Sequence, residues 1–395
     1  MQKSDFIYHL PDHRIAKHPL TQRDQSKLLV FNGGISDQKF IDLPKQLPPN
    51  SQLIFNNTKV IKARLRFTKT AGAKPIEVFC LNPFQQSIED AMEARHSVRF
   101  ECLVGNLKRW KNHPLELELN SDLVLTVQKG DRSGQGFIID FNWTGSYTFS
   151  EVLNISGQIP LPPYMNRDAE DFDTERYQTV YATNNGSVAA PTAGLHFTPG
   201  VLNQLELQGH QRLELTLHVG AGTFKPLSDG DVHNHEMHGE EIILSTSWLK
   251  RYLNHKGPRF AVGTTSLRTL ESCHWIGVNY LENGIVQDLG QFDAYELNSK
   301  HSTPDAFEGL LGYMEKNAIS NMVLQTKLMI KPGYTMKTVD GIVTNFHQPG
   351  STLLMLISSG IGESWREIYA HALANDYRFL SYGDSSLLYF NHNKL

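Results

Sequence analysis

The chain has 395 residues, of which 40% are hydrophobic and 20% charged, a composition that excludes a disordered or collagen-like protein. Its three cysteines lie far apart in the sequence, which excludes a disulfide framework and a zinc or iron–sulfur motif built from closely spaced thiolates. The net charge is −4, but residues 1–150 carry 20 Lys and Arg against 15 Asp and Glu, whereas residues 151–395 carry 17 against 26.

The longest apolar stretch, residues 353–361, is interrupted by two serines and a glycine. It is far shorter than the roughly 20 residues that a transmembrane helix needs. The first residues are polar and precede no apolar run, so we expect no signal peptide. These features predict a soluble cytoplasmic protein, and a monomer is the default expectation.

The first part of the chain predicts two kinds of structure. Leu28–Phe31 and Gln52–Phe55 are typical of strands in an opening unit. From residue 62 to residue 149, short alternating runs are separated by turn residues, which include Lys129–Asp131 and Ser133–Gly136. Several short strands at this spacing indicate a sandwich or barrel. We therefore expect residues 62–149 to form an inserted, mostly antiparallel β-barrel domain.

The rest of the chain alternates strands with helices. Thr198 and Pro199 are typical of a helix start, and Leu213–Val219 alternates like a strand. Strand–loop–helix units follow at Arg259–Ser272, where the helix is expected over residues 267–272, and at Gly341–Ser351. Another helix is expected from Thr303 to Asn317. Residues 1–61 and 150–395 are thus expected to form an α/β main domain.

Two glycine-containing segments carry candidate histidines. The segment Ser187–Thr198 places Gly194 and His196 just before a helix; a lone histidine there is more often a hydrogen-bonded core residue than a catalytic one. The second segment follows a strand and contains residues suited to close approach of a ligand, namely His218, Gly220, Gly222 and Thr223. The third glycine of a dinucleotide-binding fingerprint is missing.

The densest polar cluster is His233–Glu241. Its side chains suit either a metal site or general acid–base chemistry, and a solvated polar segment is the simpler alternative. Six of the 17 histidines fall between residues 196 and 238. This concentration favours a functional role for the set. The candidates within the cluster are Glu236, His238 and Glu240.

Three further segments place polar groups where a strand gives way to a loop or helix, which is where α/β sheets bind ligands. The segment at Thr264–Arg268 contributes hydroxyl groups and a guanidinium. The segment at Asn345–His347 contributes an amide and an imidazole, and the one at Tyr382–Asp384 a phenol and a carboxylate. Simple helix capping is the alternative for the hydroxyl groups. The candidates are Thr264, Thr265, Ser266, Arg268, Asn345, His347, Tyr382 and Asp384. The residues alone thus predict a cytosolic α/β enzyme with a β insertion.

The same segments resemble one family closely, the S-adenosylmethionine:tRNA ribosyltransferase-isomerases of queuosine biosynthesis. The matching blocks follow the family's order along nearly the whole chain. They include Ile15–Asp24, Ile159–Tyr164, Glu175–Tyr181, Gly186–Thr198, Leu217–Phe224, Val262–Ser272, Asn345–His347 and Tyr377–Asp384. The resemblance also implies an α/β domain with an inserted β-barrel.

The resemblance implies transfer of the ribosyl part of S-adenosylmethionine to a 7-aminomethyl-7-deazaguanine base at the tRNA wobble position. The products are epoxyqueuosine, adenine and methionine, and no metal is required. The sulfonium acidifies the neighbouring C5′ hydrogens, so the chemistry needs one base and one acid. We expect His196 and His218 in these roles, with Glu236, His238 and Glu240 as second choice. Substitution of either of the first two should abolish adenine release and leave the fold intact.

The resemblance assigns the remaining candidates to two ligands. We expect S-adenosylmethionine to be bound by Gly194, Gly220, Gly222, Thr223, Thr264, Thr265, Ser266, Arg268, Asn345, His347, Tyr382 and Asp384. We expect tRNA to contact the mildly basic N-terminal half and one arginine beyond it, through Lys59, Lys62, Arg64, Arg66 and Arg176. Binding through such contacts weakens steeply as salt rises.

The chain departs from the family pattern at several positions. Lys59 stands where the family usually has Arg, Glu236 replaces a usual Lys and Gly350 a usual basic residue. About thirty residues near 295–325 resemble an insertion. A diverged paralogue acting on another acceptor is therefore one alternative. The others are a metal-dependent hydrolase or isomerase that uses His233–Glu241, and a tRNA-binding module without catalysis.

Overall fold

The computed structural model describes residues 1–68, 74–111, 113–134, 136–220, 230–297 and 300–390. The strands are β1 Lys27–Phe31, β2 Ile35–Lys39, β3 Gln52–Asn56, β4 Thr58–Val60, β5 Arg64–Phe67, β6 Ile76–Pro83, β7 Ser97–Gly105, β8 Leu115–Glu118, β9 Val124–Ser133, β10 Gly136–Trp143, β11 Gly157–Gln158, β12 Asn184–Ser187, β13 Gln211–His218, β14 Glu240–Ser245, β15 Arg259–Val262, β16 Asn321–Thr326, β17 Gly341–Asn345 and β18 Ser385–Tyr389.

Helices lie mainly in the second half of the chain. They are α1 Ile88–Glu93, α2 Phe149–Ser156, α3 Asp173–Arg176, α4 Pro199–Leu207, α5 Thr246–Asn254, α6 Thr264–Asn283, α7 Asp293–Glu296, α8 Thr303–Lys316, α9 Thr352–Ile361 and α10 Ser364–Ala374. None of the helices in the described ranges is long and apolar enough to cross a membrane.

A mixed sheet of nine strands forms the main body, in the order β16-β14-β13-β3-β15-β17-β18-β1-β2. Four neighbouring strands in its centre, β13, β3, β15 and β17, run parallel. Apolar side chains cover both faces of the sheet in two separate core clusters. Burial on both faces explains why strands such as β3 and β17 are continuously buried and do not alternate.

The second sheet has seven antiparallel strands in the order β11-β5-β6-β7-β10-β9-β8. It is curled, so β5 and β8 approach within 8 Å between Cα atoms, but no ladder of hydrogen bonds joins its ends among the described residues. A closed barrel is therefore not observed, and the sheet is an open, curled half-barrel. Its own apolar cluster consists almost entirely of residues 61–153, and the division of the chain into domains stays a prediction.

Most local predictions for helices are confirmed, and one needs correction in length. Thr198 caps α4, with its Oγ1 accepting from the Val201 N–H. Ser302 and Asp305 form a capping box that starts α8. The helix expected over residues 267–272 is much longer, because Gly263 ends the strand at φ 86° and apolar residues continue through Val278. Gly277 lets α8 approach closely, since an added Cβ would lie 2.2 Å from the Ala306 carbonyl oxygen.

One predicted turn and one predicted strand are wrong. Lys129–Asp131 was expected to be a turn but lies inside β9, which runs on to Ser133. A bulge in the pairing with β10 accommodates the glycine there. Near the C-terminus, the polar segment Ser381–Asp384 precedes a strand, β18, and does not follow one; Phe379 makes only an isolated bridge to Ile15.

Candidate active site

Four parallel strands of the nine-stranded sheet end at one edge. Their last residues are His218 in β13, Asn56 in β3, Val262 in β15 and Asn345 in β17. The carboxyl edge of parallel strands is the usual ligand site of α/β sheets. The sequence placed candidate residues at three of these four ends, and the structure brings them to the same edge.

A large cavity opens at this edge and encloses about 970 Å³ including its mouth. Its walls combine apolar and aromatic surface with a few hydroxyl, amide and imidazole groups. Among its lining residues are Tyr164, Tyr177, Ala190, Val219, Thr264, Thr265, Asn345, Phe346, His347, Ser351, Leu353 and Ser381. Walls of this kind suit a small ligand with an apolar body and a few polar groups.

Two helices begin at the large cavity. Residues at the start of α6 and α9 line it, and the free N–H groups of a first turn favour anionic or hydroxyl groups of a ligand. Thr264 and Thr265 line the large cavity as predicted. Ser266 does not, because its hydroxyl donates to the Val262 carbonyl oxygen at 2.8 Å.

Asn345 and His347 both line the large cavity, but their polar atoms are differently engaged. The Asn345 Nδ2 lies 3.1 Å from the His196 Nε2, and its Oδ1 is buried with no partner among the described residues. The His347 Nε2 lies 2.9 Å from the Thr344 Oγ1, and burial lowers the pKa of His347 to about 3. Asn345 is thus the residue here that has hydrogen-bonding capacity to spare.

His196 lies behind the wall of the large cavity and does not line it. Both ring nitrogens have partners, since Nδ1 is 2.8 Å from the Ser26 Oγ and Nε2 contacts Asn345. Burial lowers the pKa of His196 to about 4, so the ring is neutral at pH 7. This arrangement suits a residue that orients Asn345 better than one that exchanges protons with a ligand.

His218 occupies a different place. It lines a cleft between the two large sheets, which we call the inter-sheet cleft, of about 760 Å³ including open space. Its Nδ1 lies 2.8 Å from the Thr58 Oγ1, whereas Nε2 is buried and has no partner in the described ranges. Burial lowers its pKa to about 4. Val219 lines both the inter-sheet cleft and the large cavity, so the two spaces adjoin.

The structure separates two adjacent glutamates of β14. Glu240 was a second-choice candidate, but it is buried in an ion pair with Arg268, with 2.5 Å between Oε2 and a guanidinium nitrogen. Arg268 also donates to the Leu328 carbonyl oxygen, and neither residue lines the large cavity or the inter-sheet cleft.

Glu241, in contrast to Glu240, lines the inter-sheet cleft. It is the partner of His218 in the pairing of β13 with β14. Burial, and then the nearby Glu89, raise the pKa of the Glu241 carboxyl. Alternation along the strand explains the difference, because consecutive residues point to opposite faces.

The other residues of the His233–Glu241 cluster do not converge. Glu236 and His238 are exposed, and His233 pairs with Asp231. The described part of the chain contains no group of three or more His, Cys, Asp or Glu side chains that would suit a metal ion. Gly220 lines the inter-sheet cleft; Gly222 and Thr223 lie outside the described residues.

Two further candidates for ligand binding have structural partners, and a third does not line the large cavity. Tyr382 donates to Asp173 at 2.7 Å. Asp384 accepts from the backbone of Lys27 and of Arg378, which also forms an ion pair with it. Gly194 does not line the large cavity.

The candidates for tRNA contact fall into two groups. Arg64 and Arg66 pair with Glu77, and Arg66 also with Asp168, which raises the pKa of Arg66. Lys59 is exposed, and the Lys62 ammonium donates to a backbone carbonyl. Arg176 lies elsewhere, in a small pocket beside His196.

Three residues that hold parts of the site in place were not predicted from the sequence. Asn56 donates to the Leu217 carbonyl oxygen and accepts from its N–H, which fixes the end of β13. Thr58 orients His218, and Ser26 orients His196. No local motif marks these residues, because each acts through a partner at least 160 positions away.

The family model described as "Queuosine biosynthesis protein" matches residues 3–388. A protein of Francisella tularensis subsp. novicida named S-adenosylmethionine:tRNA ribosyltransferase-isomerase is 36% identical over 405 residues, covering 98% of this chain and 100% of the relative. One of the same name from Francisella philomiragia subsp. philomiragia is 36% identical over 396 residues, with the same coverage. A crystal structure of S-adenosylmethionine tRNA ribosyltransferase from Thermotoga maritima aligns over 97% of this chain and 99% of that one, at 25% identity and a TM-score of 0.46.

Proposed function

Because the chain belongs to the queuosine biosynthesis protein family, we propose that it is an S-adenosylmethionine:tRNA ribosyltransferase-isomerase. The observation that carries the proposal is the match over residues 3–388, together with relatives of that name that align over their full lengths. The acceptor we propose is 7-aminomethyl-7-deazaguanine at the tRNA wobble position, and the products are epoxyqueuosine, adenine and methionine. We expect the enzyme to act as a monomer in the cytoplasm.

We place S-adenosylmethionine in the large cavity. Two observations support this placement. The cavity joins aromatic and apolar walls to the first turns of α6 and α9, which suits a nucleoside with ribose hydroxyls. In addition, the buried Asn345 Oδ1 has no partner among the described residues, so it has an acceptor free for an amino group such as that of adenine.

His218 is our candidate for the general base. When bound, the sulfonium of S-adenosylmethionine acidifies the adjacent C5′ hydrogens. His218 is neutral at pH 7 because burial lowers its pKa to about 4, and the Thr58 contact engages only Nδ1. With the Nδ1–H donating to Thr58, the lone pair lies on Nε2, which has no other partner in the described ranges. We place the sulfonium end near Val219, where the two spaces meet.

Glu241 and His196 take the remaining roles in this proposal. Burial raises the pKa of the Glu241 carboxyl, and Glu241 faces the same cleft as His218. Glu241 is therefore the candidate acid. His196 acts on Asn345 through the contact at its Nε2 and is a positioning residue. Neither role requires the pair Glu240–Arg268, which we regard as structural.

Adenine release tests the proposed function. The purified protein is mixed with S-adenosylmethionine and a tRNA carrying 7-aminomethyl-7-deazaguanine, with the unmodified tRNA as control. Adenine and methionine are expected only with the modified tRNA. Absence of adenine from both mixtures, with a folded protein that binds S-adenosylmethionine, contradicts the proposal and supports a paralogue with another acceptor.

A further inference from the structure

A small pocket beside the large cavity gathers positive charge. We call it the arginine pocket; it encloses about 280 Å³ including open space. Three arginines from distant parts of the chain line it, Arg23, Arg176 and Arg378, with His196 at one side. Among the described residues that line it there is no aspartate or glutamate. Guanidinium groups gathered in one pocket are typical of a site for an oxyanion.

The arginines are only partly engaged by the protein. Arg23 donates to the Gln178 carbonyl oxygen, and Arg176 donates to the carbonyl oxygens of Leu20 and Thr21. The Arg176 Nε is buried and has no partner among the described residues. Within the described part of the chain, Arg378 is the arginine of the three that forms an ion pair, to Asp384. The Arg176 Nε is therefore one donor beside the pocket that no acceptor among the described residues satisfies.

The charges around Arg23 also favour the binding of an anion in the arginine pocket. Burial, and then the neighbouring Arg176, lower the pKa of the Arg23 guanidinium, and the nearby Glu175 and Tyr382 offset part of this effect. Like charges held together inside a protein are destabilising unless a ligand of opposite charge offsets them. His196 adds no charge at pH 7, because burial lowers its pKa to about 4.

We propose that the arginine pocket binds a phosphodiester group of the tRNA backbone next to the modified nucleotide. Ser381 lines both the arginine pocket and the large cavity, so a phosphate there lies beside the space assigned to the reaction. The carboxylate of S-adenosylmethionine is an oxyanion too, but it is accompanied by an ammonium group. An ammonium needs an acidic partner, and none lines this pocket.

The assignment of the phosphate to tRNA rests on the proposed function, so the test measures binding without turnover. The affinity for unmodified tRNA is measured across a salt series for the wild type, Arg23→Gln and Arg176→Gln. Each lost phosphate contact lowers the slope of log affinity against log salt by about 0.7–0.9. We expect that reduction in both variants, with a roughly tenfold loss of affinity at 0.15 M salt. Arg176→Lys, which keeps the charge, should restore most of the slope.

Arg251→Gln is the matched control, because Arg251 is exposed and likewise donates to a backbone carbonyl. It should leave the slope unchanged. An unchanged slope in folded Arg23→Gln and Arg176→Gln overturns the proposal. So does a loss of affinity for S-adenosylmethionine with tRNA binding intact, which would assign the pocket to the carboxylate. If Arg23→Gln does not fold, Arg176→Gln and its lysine counterpart decide alone. The result does not depend on adenine release, so failure of the proposed function is detected separately.

Discussion

One buried histidine lies behind the wall of the large cavity and another lines the inter-sheet cleft, and burial affects the pKa of the two alike. Burial lowers the pKa of both His196 and His218 to about 4. They differ in hydrogen bonding. His196 has partners on both ring nitrogens, whereas the Nε2 of His218 has none in the described ranges. A lowered pKa alone therefore does not identify a catalytic histidine; the unsatisfied nitrogen distinguishes the two.

The two histidines also lie in different surroundings. His196 lies beside the end of β17 in the nine-stranded sheet, where Ser26 and Asn345 contact its ring nitrogens. His218 lies at the boundary between two sheets, where Glu241 also has a buried oxygen without a partner among the described residues. Polar groups that are buried and unsatisfied are costly for folding, and a ligand bound in the inter-sheet cleft would supply partners for these two atoms.

Loss of the base is expected to have the largest effect. His218→Gln should lower the rate of adenine release by about 10³-fold, within the range that general base catalysis contributes. Binding of S-adenosylmethionine should be retained. His210→Gln is the matched control, because His210 is buried and hydrogen-bonded far from the site. Near-normal turnover by His218→Gln would remove His218 from the mechanism.

Displacement of the base is expected to have the next largest effect. A Cβ added at Gly186 would lie 2.9 Å from the Nδ1 and Cε1 of His218, and the glycine has φ 149°. Gly186→Ala should therefore shift the ring and lower turnover roughly 10- to 100-fold, with a smaller change in affinity for S-adenosylmethionine. Gly312→Ala is the control, because an added Cβ there meets nothing within 4 Å. Equal turnover by the two variants would contradict the placement of the His218 ring.

Acid should weaken the folded state through both histidines. The folded pKa of His218 is about 4, below the ordinary 6.5, so the unfolded chain binds its proton first as pH falls. The stability contribution is full above about pH 6.5 and is lost as pH falls towards 4. At pH 5 the cost is about 2 kcal/mol per histidine. The free energy of unfolding of His218→Gln should thus fall less than that of the wild type between pH 7 and pH 5, by about that amount; equal falls would mean that His218 is not buried as a neutral ring.

The smallest effect is expected for the positioning residue. His196→Gln removes the ring that holds Asn345, a hydrogen bond of about 1 kcal/mol. The KM for S-adenosylmethionine should rise roughly five- to tenfold, while kcat stays within a factor of about three. Asn345→Ala should raise KM similarly, and the double variant should add little, because both changes remove one interaction. A collapse of kcat in His196→Gln would instead show direct participation in proton transfer.

Sequence reasoning succeeded where a signal is local. Thr198 and Pro199 marked a helix start, and the strand ends at His218, Val262 and Asn345 lie at the carboxyl edge where they were expected. Alternation would also have separated Glu240 from Glu241, since one faces Arg268 and the other the inter-sheet cleft.

The remaining features depend on contacts between distant residues. No pattern places Thr58 on His218 or Ser26 on His196, because these pairs are brought together only by the packed sheet. The expected barrel is an open sheet for a similar reason: strand spacing predicts the number of strands but not whether the first and last pair. The arginine pocket combines segments more than 150 residues apart.

Single-turnover adenine release from S-adenosylmethionine, with tRNA that carries 7-aminomethyl-7-deazaguanine, distinguishes the proposed roles of His218 and His196. Wild type, His218→Gln and His196→Gln are compared at saturating S-adenosylmethionine, so that differences in binding do not enter. Adenine is expected from the wild type and from His196→Gln at similar rates, and almost none from His218→Gln. The account is contradicted if the wild type releases no adenine, or if His196→Gln loses the activity and His218→Gln keeps it.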